Sequence, residues 1–240
     1  MRRNILFPTV FLLFVTIFSS CDEGRIYEKE VVVTQEGRTM KLIGKISGIR
    51  NWASGYDVVV AGFEDKDEYS VISKSLPASA DGIDLTMTLS GIPENVTTLK
   101  LCVVNRLRKS VADFQVLTKE EMNATTDTIV MNVGTVDVGM FNTVQTQVFD
   151  RRCIGCHGDN GRAARGLFLT KGQSYSHLVE VPSSIDGNYF LVKPGDVENS
   201  YIHLVLNKEG YDGHGHLDIL SGEPDMLTLI DDWINNGAQE

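Results

Sequence analysis

The chain has 240 residues and 42% of them are hydrophobic, so a packed core is expected and a disordered chain is excluded. Acidic residues outnumber basic ones 32 to 22, for a formal charge of -10. With no Lys/Arg-rich stripe to meet phosphates, nucleic acid is excluded as a partner. The acidic balance suits solubility, or a basic protein partner.

Arg2 and Arg3 open the chain, and an apolar run follows from Ile5 to Phe18. That is the pattern of a secretory signal, too short for a spanning helix. Ser19-Ser20-Cys21 then resembles the lipobox of bacterial lipoproteins, with Phe18 where leucine is usual. The resemblance implies a signal peptide over residues 1–20 and a diacylated Cys21, anchoring the protein to a membrane leaflet without spanning it. Asp22-Glu23 behind it points to an outer-membrane lipoprotein on the periplasmic or cell-surface face.

Residues 21–138 read as a β domain. Strand patterns run over 27–33, 40–46, 56–63, 69–75, 83–89, 99–103, 111–117 and 128–133. Ile83-Asp84-Leu85-Thr86-Met87-Thr88-Leu89 alternates as a half-buried strand should. Gln35-Glu36-Gly37, Ser54-Gly55, Asp81-Gly82 and Gly91-Ile92-Pro93-Glu94-Asn95 supply turns. The expected fold is an antiparallel β-sandwich of immunoglobulin or fibronectin type. This half has no histidine, its carboxylates fall on turns and solvent faces, and Cys102 lies in an apolar strand. It reads as a spacer or as a docking surface. Asp127-Thr128-Ile129 resembles a short bacterial O-glycosylation acceptor.

Residues 139–240 carry the chemistry. Phe141, Val144 and Val148 have helical spacing and lead into Cys153-Ile154-Gly155-Cys156-His157. Two thiols two residues apart, followed at once by histidine, form the attachment signature of c-type haem. Each thiol makes a thioether with one vinyl group of the porphyrin, and the imidazole binds the iron. A redox dithiol would need a βαβ setting, and zinc a second ligand pair. Gly158 ends the helix, and Leu167 and Leu169 are placed to close over the haem edge. A last helix opens at Pro224, carries Leu227, Ile230, Trp233 and Ile234 on one stripe with Asp231 and Asp232 facing out, and stops at Gly237.

With Leu178-Val179-x-Val181-Pro182-Ser183, Lys193-Pro194-Gly195-Asp196-x-x-x-Ser200-Tyr201 and Trp233-Ile234-x-x-Gly237-Ala238, these residues resemble a small mono-haem cytochrome c domain of class I type. The resemblance implies an all-α domain over 139–240, one covalent haem c, His157 as proximal ligand, and crossing first and last helices. Phe141 or Val144 against Trp233 is the expected contact.

Such domains usually carry a distal methionine before the last helix. Here that loop reads Gly213-His214-Gly215-His216-Leu217. His216 or His214 is therefore a candidate sixth ligand; Met226 and an open site are the alternatives. His177 and His203 read as surface or satisfied core residues. The expected function is a membrane-anchored c-type cytochrome passing electrons to a redox partner protein, with no catalytic residue of its own. A haem-based sensor or peroxidase with an open distal site, or a surface interaction lipoprotein with an accessory cytochrome module, are the alternatives.

Overall fold

The computed structural model describes residues 37–124, 128–158, 163–211 and 216–240. The leader with Cys21, the expected strand over 27–33, Asp127 and His214 lie outside the described residues.

Among the described residues seven strands form: β1 (Arg38–Ser47), β2 (Tyr56–Phe63), β3 (Ser70–Ser75), β4 (Asp84–Ile92), β5 (Thr98–Asn105), β6 (Ser110–Leu117) and β7 (Ile129–Asp137). They make a three-stranded sheet, β4-β1-β7, and a four-stranded sheet, β3-β2-β5-β6. Side-chain alternation decides which residues meet between them. Met40, Leu42 and Ile46 come from β1, Val58 and Val60 from β2, and Leu99, Leu101 and Val103 from β5. Each such buried aliphatic side chain contributes about 1.5–3 kcal/mol. Cys102 points to the opposite face of β5, fully buried, and burial pushes its thiol up to about 12. A one-turn helix, α1 (Lys119–Asn123), carries a reciprocal cap. Thr118 Oγ1 accepts from Glu121 N–H, and Glu121 Oε2 accepts from Thr118 N–H.

After β7, helix α2 (Met140–Val144) runs directly into a π-helical stretch, Gln145–Cys153, and then α3 (Ile154–His157). Further on come α4 (Ser174–Leu178), α5 (Tyr201–Asn207) and α6 (Pro224–Asn235). Phe141 meets Trp233 with ring centroids 5.1 Å apart, which packs the first of these helices on the last. Both belong to a second apolar cluster with Val148, Phe149, Leu178, Leu229 and Ile234. Among the described residues no helix is long and apolar enough to cross a membrane.

The expected fold class, an antiparallel sandwich followed by an all-α domain, is overturned on both counts. β1 pairs antiparallel with β4 but parallel with β7, so the sandwich is mixed. Alternation shows which face a strand buries and says nothing about its neighbour's direction. The later residues do not form an all-α domain either. Their helices are short, and bridges Val179↔Val192, Pro182↔Phe190 and Phe190↔Ser200 hold the stretch between them. The described chain is mostly sheet with few helices, and the described residues fall in one compact unit. Trp52 and Tyr56 pack against both apolar clusters. Trp52 Nε1–H also donates to Val138 O at 2.7 Å, and Lys109 Nζ reaches Asp225 of α6 at 2.6 Å.

Asp231 and Asp232 do not simply face water. Asp231 Oδ1 lies 2.9 Å from His203 Nδ1, and Tyr56 O–H donates to Asp232 Oδ2 at 2.6 Å. Burial raises the Asp231 carboxyl above its ordinary range. His203 is thus a satisfied histidine, held by a carboxylate.

Candidate functional site

The thiol pair sits where the π-helical stretch meets α3. Apolar Val148 and Phe149 face the core, which leaves the following turn at the surface. Cys153, its last residue, is half-buried, and desolvation followed by the neighbouring Cys156 pushes its thiol up to about 12. Ile154, Gly155 and Cys156 are exposed, so one side of the motif is open. Neither cysteine is in a disulfide. π-Helical turns recur at functional sites because the extra residue re-aims the side chains after it.

The backbone leaves the helix immediately after His157. A Cβ on Gly158 would stand 2.5 Å from the Ile154 carbonyl oxygen, so only glycine permits this exit. The chain then returns across the histidine. Leu169 N–H donates to His157 O at 2.8 Å. Leu167 O accepts from His157 Nδ1–H at 3.2 Å, because a carbonyl can only accept. That bond fixes the tautomer and leaves Nε2 as the nitrogen able to bind a metal.

His216 begins a one-turn 3₁₀-helix, His216–Asp218, just before α6. Its ring and that of His157 have centroids 6.3 Å apart and planes inclined at 33°. Burial first, and the His157 ring second, lower its pKa. Both effects favour the neutral imidazole, which is the ligating form.

This spacing can be tested against a shared metal. A metal–imidazole bond is about 2.0 Å. A five-membered ring with sides near those of a C–N bond has its centre about 1.15 Å from each vertex. Two imidazoles on opposite sides of one metal therefore have centres about 6.3 Å apart on these bond lengths. The observed spacing is the one such a pair would show, so the two imidazoles fit a metal ion held between them. Among the described residues no group of three or more His, Cys, Asp or Glu side chains could hold a metal ion by itself.

Glu223, at the start of α6, pairs with Arg152 beside Cys153. Of the other residues singled out in the sequence, Met226 packs against the second apolar cluster. His177 stacks edge-on to Phe168 at 5.1 Å. Leu169 is buried in the core, and its backbone does the positioning. His214 lies outside the described residues. Sequence reasoning singled out Leu167 for its side chain but missed its carbonyl, and it missed Gln145. The Leu167 contribution is a backbone carbonyl, which no side-chain pattern announces. Gln145 had one faint signal, a polar residue between apolar Val144 and Val148. Comparison of the chain with protein-family models, with curated proteins and with solved structures finds no match.

Proposed function

We propose that this chain is an exported, lipid-anchored c-type haem protein that carries electrons. Cys153 and Cys156 would hold the haem as thioethers, and His157 and His216 would bind its iron. The observation that carries this reading is the 6.3 Å spacing of the two imidazoles beside the thiol pair. The haem supplies a one-electron ferric/ferrous couple.

The chain's own residues do the rest. Leu167 O holds the His157 Nδ1 proton, so the imidazole is oriented before the iron arrives. A second histidine in place of methionine favours the ferric state and lowers the reduction potential. With His157 and His216 both bound to the iron, the chain would leave no open position for peroxide or a gas, which would favour electron transfer. The lipid would sit on Cys21, and the redox partner would be a protein meeting an acidic surface at the outer membrane.

The test is a pyridine haemochrome spectrum of protein matured with haem-attachment machinery, with EPR of the ferric form. A c-type α band and a low-spin bis-imidazole signal are expected. His216→Ala should open the sixth position and admit carbon monoxide, which the unaltered protein should refuse. A methionine-to-iron charge-transfer band, or ready carbon monoxide binding by the unaltered protein, overturns the ligand assignment. Absence of the α band overturns the function.

A further inference from the structure

Gln145 is 2% exposed, in a helix whose neighbours Val144, Val148 and Phe149 build the apolar cluster. Burying an amide is unfavourable unless its bonds are made. Here they are made. Nε2 donates to Leu169 O at 2.9 Å and to Asp150 Oδ1 at 2.6 Å, and Oε1 accepts from Ser174 O–H.

Leu169 is the residue that ties this amide to the site. It follows a one-turn 3₁₀-helix, Ala164–Gly166, and belongs to no strand or helix. Its N–H is bound to His157 O, its carbonyl to Gln145, and its side chain is 4% exposed. Two residues earlier, Leu167 O receives His157 Nδ1–H. The 167–169 segment is therefore pinned between the histidine backbone and the buried amide.

We propose that Gln145 is a positioning residue for the axial imidazole of His157, acting through Leu169 to hold the Leu167 carbonyl against Nδ1–H. This rests on the haem reading above. A firm Nδ1–H···O=C bond raises the electron density on the ring, which stabilises ferric over ferrous iron. Loosening Leu167 weakens that bond and raises the reduction midpoint.

A merely structural glutamine would also destabilise the fold when replaced, so stability alone does not decide. The test uses the full-length haem-loaded protein and reads the reduction midpoint and the ferric EPR signal. Gln145→Leu removes the donor to Leu169. Gln145→Asn keeps an amide but falls one methylene short of Leu169 O, and it serves if the leucine variant does not fold. Ser174→Ala breaks only the other arm of the amide. Both Gln145 variants should raise the midpoint and shift the axial-ligand signal, while Ser174→Ala leaves both near wild type. An unmoved midpoint in the folded Gln145 variant, or an equal rise in Ser174→Ala, overturns the proposal. Failure of the unaltered protein to take up haem at all would count against the haem reading instead.

Discussion

The sheet half and the helical half hold their backbones in different ways. In residues 37–138 the chain is held by ladders of strand pairs, and it contains no histidine. In residues 139–240 lie all five histidines, and fourteen acidic residues stand against seven basic ones. Five of the six buried polar side chains among the described residues are also there: Thr143, Gln145, Ser174, Ser183 and Ser200. Irregular backbone leaves N–H and C=O groups without a ladder partner, and buried groups of that kind must still be bonded. Ser183 Oγ accepts from Ile185 N–H, and Ser200 Oγ accepts from Lys193 N–H. A surface that must present a few groups at fixed angles is built from such loops. A surface that only needs to exist can be built from strands.

The largest test of this contrast removes the centre of the helical half. Trp233 is 1% exposed, packs on Phe141, and donates its Nε1–H to Gln239 O at 2.8 Å. Trp233→Ala should cost about 3–5 kcal/mol. Leu101→Ala, fully buried between the sheets, should cost about 2–5 kcal/mol. Because Trp52 and Tyr56 pack against both clusters, urea unfolding should show one transition that either change shifts. Two separable transitions would mean that the halves fold independently.

A smaller effect separates backbone satisfaction from packing. Ser200 is fully buried, accepts from Lys193 N–H at 2.8 Å, and donates to Asp196 O at 2.9 Å. Ser200→Ala loses little volume but strands a buried N–H, and it should cost about 1–3 kcal/mol. Ser110 is only half-buried and bonds Asp113 Oδ1 at 2.6 Å. Ser110→Ala should cost less than 1 kcal/mol or about that, since water can replace the contact. Equal losses in chemical denaturation would remove the distinction between the halves.

The same contrast explains what the sequence could disclose. An apolar run located β2 at Tyr56–Phe63 to the residue, because a strand buried on both faces carries apolar side chains throughout. Such patterns could not show that β7 runs parallel to β1, because partner direction leaves no period in the chain. Helical spacing found α6 from its stripe of Leu227, Ile230, Trp233 and Ile234. The thiols and His157 stood out because haem attachment would demand that spacing. The 213–216 loop was legible as a pair of histidines. The 6.3 Å spacing of the His216 and His157 rings was not, since it depends on where α6 and α3 pack. The Leu167 carbonyl and its Gln145 support left almost no trace, because one is backbone and the other looks like an ordinary polar helix residue. Asp231 and Asp232 were misread as outward-facing because a charge pair on a helix usually is solvated.

A further small effect lies at the seam between the two halves. Tyr56, from β2, donates to Asp232 of α6. Burial first, and the bond to Asp232 second, raise its phenol above the ordinary tyrosine range. A group whose pKa is raised on folding contributes stability that is fully present below its unfolded value, about 10, and is lost as pH rises through the folded value. At neutral pH, Tyr56→Phe should therefore cost about 1 kcal/mol, the loss of one half-buried hydrogen bond. Above about pH 10 the difference should shrink, because ionisation would set a phenolate against the Asp232 carboxylate and the variant has no such group to ionise. Urea midpoints of both proteins between neutral and strongly alkaline pH would show this convergence. Parallel curves would mean that the Tyr56 hydroxyl does not bridge the sheets to α6, and that apolar packing of Trp52 and Tyr56 alone joins the halves.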